Sequence, residues 1–515
     1  MSSFLEDDII METKFGSTKQ RMELFMINIR KQDTVRIFRG LRRNYEKPEK
    51  DSLTLTLEEL TFKVKEIEKG ICDIINTSDI DQAVKIFDSL RITLIDISQS
   101  NREIVVEAML EKKLFHHLIM ILNEARKKGK NELISSITWA MQVALTVKTN
   151  TVTRIVEHGL IEAYEPLLLI QDTDILENVI WGYSNMVEDN LVVRELMESK
   201  QLMERVYSTI EQSSDKIFSI PILQSFVLFS NSYFNQKPNF KFQTFANHFY
   251  FCVKVFISID AMAYSEFMVD LLTFLKFSTK VGQQSDIFDF LECQLFIPLI
   301  DKLSDLVLVT ESDIADLSIS VLLNLTYHDH PRLIEILNTN LLKNLYINIS
   351  KDILLEDSMN LVANIAASGD EFLSSVLKSG IVTEILCRTA SEESPFTHLV
   401  AKVSVLSNIF DCHPFDESFD YINEHFDLIA MIVTKLNNSL NFSMMKVIGK
   451  FLRSIFEIGY DIMITRNLSF NPISQRFSER EDLSNAIEKA QSNRSSEIYN
   501  IYKSIIEEYF PVYHQ

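Results

Sequence analysis

Seven positions along the chain, 143, 185, 231, 276, 324, 364 and 408, share one local context: an apolar helical run, a slot after a small or polar residue, then more apolar residues. The slot is Asn at 185, 231, 324, 364 and 408, Val143 at the first position and Lys276 at the fourth. Successive gaps are 42, 46, 45, 48, 40 and 44 residues. A unit recurring at this period is a single supersecondary element that cannot bury its apolar face alone. The chain must therefore stack such units into one continuous array. A polar residue repeated once per unit becomes a ladder along one face of the array, and a ladder suits an extended peptide.

Composition agrees with helices joined by short turns. Hydrophobic residues make up 46% of the 515, enough for a continuous core, and only 11 Gly and 10 Pro interrupt the chain. The 35 Phe suit packing between helices. The net charge of −21 is unevenly spread. Residues 1–13 carry four acids, residues 14–44 carry nine cations against Glu23 and Asp33, and residues 45–515 are left at −24. A basic arm before an acidic body repels nucleic acid from the body and attracts basic peptides to it. Cys72, Cys252, Cys293, Cys387 and Cys412 are scattered without a CxxC pair, so neither a zinc site nor a disulfide framework is expected. The first residues lack the basic-then-apolar pattern of a signal peptide, and no run of about 18 apolar residues reads as a membrane span. These features predict a reduced, soluble, intracellular protein.

Along the chain, residues 1–13 read as a disordered acidic terminus. Residues 14–44 read as a basic, partly helical arm with Leu24, Ile27, Val35 and Phe38 as sparse anchors, and residues 45–56 as a linker around Pro48. Helical repeats fill 57–465, and 466–515 is a polar loop (466–480) followed by a closing helix pair at roughly 481–510. The repeat is clearest at 175–199 and 355–386: a helix ending near Asn, a short turn, a short helix, then the next long helix. Gly159 and Gly380 fall in the same turn, where a left-handed cap favours Gly.

The period is that of armadillo and HEAT arrays. Three regions in order resemble importin-α (karyopherin-α), the adaptor for basic nuclear localisation signals. The first is the arm, RMELFMINIRKQDTVRIFRGLRRN; the second is Trp181-Gly182-Tyr183-Ser184-Asn185 with Asp189 one turn later; the third is the terminal AIEKAQSNRSSEIYNIYKSIIEEYF. The resemblance covers essentially the whole chain and implies an all-α, right-handed armadillo superhelix of about ten repeats. It implies a groove binding the signals of cargo proteins through Trp139, Asn178, Trp181, Asn185, Asp189, Asn231, Asn324, Asn364 and Asn408. It also implies an importin-β-binding arm using Arg21, Arg30, Lys31, Arg36, Arg39, Arg42 and Arg43. Further implied partners are a nuclear export receptor with Ran-GTP, with nucleoporins as additional candidates, and the protein would shuttle between cytoplasm and nucleus.

The residue types fit that chemistry. An Asn side chain both donates and accepts, so a row of them can hold a peptide backbone without reading its sequence. Tryptophans between them give walls for the stems and heads of Lys and Arg. Asp189 would select one lysine. The departures are as specific as the matches: Val143 replaces the first Asn, Val227 the third Trp, and Ser320, Asn360 and Ser404 stand at later Trp positions. One array is complete and two are half-complete, so weaker or differently selective binding is expected and a second, C-terminal peptide site looks impaired. Leu41 before Arg42-Arg43 leaves the arm without the lysine that would occupy the acidic slot, so self-inhibition is expected to be weak. The alternative is an armadillo scaffold for another protein partner, without nuclear traffic. His328-Asp329-His330 and Cys412-His413 lack a third ligand at metal spacing, and there is no P-loop, GxGxxG or GxSxG. No enzyme, cofactor or metal is expected.

Overall fold

The computed structural model describes residues 56–515 apart from 78–79, 214–219, 235–241, 262, 282–293, 311, 328–330, 392–395, 413–414, 436–440 and 511–515. The acidic terminus, the basic arm with its seven named cations, and all of the linker but Thr56 lie outside the described residues. So do His328-Asp329-His330 and His413. The described residues divide into two compact units, one lying within Ile37–Gly282 and the other within Gln283–Gln515.

In the Ile37–Gly282 unit the long helix of each repeat packs on the long helix of the next: Ile80–Asp96, Asn131–Ala144, Thr173–Val187, Ile220–Phe234 and Ser265–Val281. They are named below by a signature residue as the Arg91, Trp139, Trp181, Asn231 and Asp270 helices. Two shorter helices lie between most successive long ones. After the Trp181 helix come Leu191–Ser199 and Leu202–Ser213, and before it come Thr149–Val156 and Leu160–Tyr164, the latter prolonged by a 3-10 turn. The repeat thus has three helices where the sequence suggested a short and a long one, and three helices at this period is the armadillo arrangement.

Local chemistry sets the boundaries. Asp172 caps the Trp181 helix, its Oδ1 accepting from the amides of Asp174 and Ile175 at 3.2 Å each. That helix buries Ile175, Leu176, Val179, Ile180, Tyr183, Met186 and Val187, a helical periodicity with one inward face. Each such side chain contributes about 1.5–3 kcal/mol when fully buried. Gly159 (φ 91°) and Gly380 (φ 80°) take the left-handed conformation expected of them.

The phenylalanines concentrate where the Asn231 and Asp270 helices meet Phe242–Ser258. The ring of Phe226 stacks on His248 at 4.9 Å, and Phe234 meets Phe245 edge-on at 5.0 Å. His248 is a neutral core residue: burial pushes its imidazole down to about 3, and its Nδ1 lies 3.1 Å from Ser230 Oγ.

The Gln283–Gln515 unit repeats the scheme with Ser312–Thr326, Leu355–Ala366, Phe396–Phe410 and Phe442–Thr465 as successive packed long helices. The stretch read as a polar break, 466–480, holds a further helix, Pro472–Ser478, which buries Ile473 and Phe477. Asn471 caps it, accepting from the amides of Ile473 (3.0 Å) and Ser474 (3.2 Å) while donating to Phe456 O at 2.9 Å. Glu481–Gln491 and Ser496–Tyr509 form the expected closing pair.

Candidate peptide-binding face

The solvent side of the long helices carries the candidate site. On the Trp139 helix it presents Glu132, Ser135, Trp139 and Val143, and on the Trp181 helix Asp174, Glu177, Trp181 and Asn185. Spacings of three and four residues place each set in one stripe. Trp139 is 42% exposed, a large value for so apolar a side chain on a packed helix. Above it, 3.6 Å from the ring centroid, lies the guanidinium carbon of Arg91, from the preceding long helix.

The stripe is acidic at its helix N-terminal end. Asp174 and Glu177 lie one turn apart, and the Glu177 carboxyl is held above the usual range by partial burial and by the Asp174 charge. In the Asp270 helix, burial pushes the Asp270 carboxyl up to about 6, opposed by a 2.9 Å hydrogen bond from Gln224 Nε2 and reinforced by Glu266. Asp189 closes the turn after the Trp181 helix; it is exposed and has φ 53°, a conformation that Asp tolerates better than most residues.

The asparagines divide by partner. Asn185 donates from Nδ2 to Gln142 O at 3.1 Å, and Asn231 donates to Asp270 O at 3.2 Å. Asn178 lies buried against the Trp139 helix, its amide 3.4 Å from Ser135 O. Each of these bonds ties one long helix to its neighbour, a duty that sequence reasoning did not assign to them. The amide keeps a second N–H and its carbonyl oxygen, so a bond between helices does not use up its capacity. In the other unit Asn364 is buried with no hydrogen-bond partner for Nδ2, and Asn324 is buried as well, whereas Asn408 is half-buried.

One departure gains a physical meaning. Val227 stands where the array would continue with Trp, and it is 1% exposed. Gln224, Leu228 and Ser232 face outward instead, so the Asn231 helix is turned by about one residue relative to the Trp181 helix. An aromatic wall at 227 would point into the core. A separate concavity of about 350 Å³ lies among Val156, Gly159, Val192 and Leu196, on the short helices rather than on the tryptophan stripe.

No helix among the described residues is long and apolar enough to cross a membrane. No protein-family model matches the sequence. No curated protein matches it. Among solved structures, the chain is similar to an engineered protein from the Northeast Structural Genomics Consortium, with a TM-score of 0.57 at 14% identity over 86% of this chain and 98% of that one. It is similar over 50% of its length to a designed armadillo repeat protein in complex with peptide (KR)4, covering 97% of that chain (TM-score 0.37, 14% identity). It also matches computationally designed armadillo repeat proteins for modular peptide recognition over 50% of its length and 98% of theirs (TM-score 0.36, 14% identity). The first of these likenesses shows a shared fold.

Proposed function

We propose that the tryptophan stripe binds an extended basic peptide, and that the protein works as a nuclear import adaptor of the importin-α kind. The observation that carries this is the guanidinium resting on Trp139. A cation 3.6 Å from the ring centroid is the contact a peptide Arg or Lys would make on the neighbouring wall, Trp181. Asn185 supports it by already donating to a backbone carbonyl, the group it would meet on a peptide strand. The acids Glu132, Asp174, Glu177 and Asp189, on a body of charge −24, attract such a ligand. The basic arm at 14–44 would dock on importin-β, and a nuclear export receptor with Ran-GTP would return the adaptor to the cytoplasm. These partners rest on the family resemblance.

A second function, a scaffold for another protein partner, is favoured by a separate observation. Asn178, Asn185 and Asn231 all hold neighbouring helices together, so a ladder of asparagines has a structural use without any ligand.

Fluorescence anisotropy with a labelled lysine-rich peptide separates the two. The full chain, a version lacking residues 1–50, Trp181→Ala and Asp189→Lys would be titrated in parallel. Adaptor function expects micromolar or tighter binding, weakened about tenfold, or 1.4 kcal/mol, by each substitution. Binding indifferent to both, or none at moderate salt, leaves the scaffold.

A further inference from the structure

The Arg91–Trp139 stack is built into the fold. Arg91 lies 48 residues before Trp139, one repeat back, on the helix that packs against the Trp139 helix. One turn earlier on the same two helices, Ser136 Oγ donates to Asp88 Oδ1 at 3.3 Å, which holds their register. The Arg91 side chain is half-buried, and its Nε is buried without a hydrogen-bond partner. The aromatic face is thus the partner that the structure supplies for this part of the guanidinium. Trp139 nonetheless stays 42% exposed, so the pair reaches solvent on the stripe that Trp181 shares.

A guanidinium over an indole is held by the ring's electrostatic field, and more strongly the less water surrounds it. A peptide cation seeking the same face would have to displace it and leave a half-buried Arg without its stacking partner. A peptide cation lying beside it would meet a like charge a few ångströms away.

We propose that Arg91 is a specificity-determining residue of the binding face. By occupying the Trp139 wall with the protein's own cation, it rejects a peptide lysine or arginine there and favours an acidic residue. The ligand class narrows accordingly, to a peptide with a basic run on the Trp181 wall flanked on one side by an acidic or neutral residue. This deepens the peptide-binding function proposed above and rests on it.

The test uses the full-length protein and a peptide with a core of four basic residues. One flanking position at a time, on either side, is set to Lys, Ala or Glu. Wild type, Arg91→Met, Arg91→Lys and Trp181→Ala are compared, with tryptophan emission and circular dichroism checking that each variant is folded. At one flank, wild type is expected to bind the Glu and Ala peptides more tightly than the Lys peptide. Arg91→Met is expected to reverse that order, changing the Lys-to-Ala affinity ratio about fivefold. Arg91→Lys keeps the charge but not the flat stack, and should fall between. A uniform gain of Arg91→Met for every peptide would show only long-range charge and would overturn the proposal. So would a Lys preference at both flanks in wild type and variant alike, provided Trp181→Ala still weakens binding. Binding that ignores Trp181 as well would instead remove the peptide-binding function on which the proposal rests.

Discussion

Gly182→Ala tests how the tryptophan stripe is mounted. A Cβ on Gly182 would sit 2.8 Å from Tyr164 Cε2 and 3.6 Å from its Cζ and Oη. Carbon atoms in contact prefer about 3.5–4.0 Å, so the ring or the helix must yield by roughly 1 Å. The ring has little room. Tyr164 is fully buried, meets Tyr183 edge-on at 5.8 Å, and directs its hydroxyl at Thr138 O, 3.4 Å away. Overpacking of this kind costs about 1–3 kcal/mol. Replacing Gly by Ala inside a helix returns about 1 kcal/mol. The net expectation is a loss of roughly 0–2 kcal/mol, where helix propensity alone would predict a gain. The chain's two tryptophans are Trp139 and Trp181, so fluorescence-detected urea unfolding reports on the region that the substitution strains. The midpoint should fall, and the fall should shrink in a Tyr164→Leu background, giving a coupling of at least about 0.5 kcal/mol. A stabilisation of about 1 kcal/mol in the Tyr164 background would refute the close approach as the reason for this glycine.

Gly459→Ala should be costlier, because its Cβ would overlap the Asn471 amide that caps Pro472–Ser478 and bonds Phe456 O. A loss of about 2 kcal/mol or more, with faster hydrogen exchange over 472–491, is expected. Asp270→Asn should stabilise the protein at neutral pH. The folded carboxyl titrates at about 6 against an ordinary 3.8, so between those values the folded state binds more protons and stability falls as pH rises, flattening above about 6. Wild-type unfolding midpoints should show that decline and the variant should lose most of it; a parallel decline in both would assign it to other groups.

Much of the fold was legible in the chain because a repeat prints its period. The Asn slots and the paired turns at Gly159 and Gly380 set the phase of the units, and the long helices fall where the slots place them. The second short helix was not visible, since segments such as Leu160–Tyr164 are too brief to show a period of their own. Neither was the helix at 472–478, whose polar sequence is held by Asn471 and two buried side chains. At the site, sequence located the tryptophans but could not tell which face of the next helix turns outward. Val227 aligns with Trp181 on paper, yet a rotation of one residue buries it. The Arg91 stack needed the register of two helices 48 residues apart, although stepping back from Trp139 by one of the observed gaps does land on it.

The bonds that join one repeat to the next, Asn178 to Ser135, Asn185 to Gln142, Asn190 to Thr153, Arg194 to Tyr233 and Asn231 to Asp270, link residues only 37 to 43 apart. Each therefore becomes available as soon as one further repeat has been synthesised. The growing chain can dock its units in order while translation continues, with no contact in this set waiting for the far terminus. The exposed apolar end at any moment is a single unfinished repeat rather than half a domain. The binding face is assembled in the same order, with Arg91 in place before Trp139 is made, so the tryptophan would meet its cation during synthesis, ahead of any ligand.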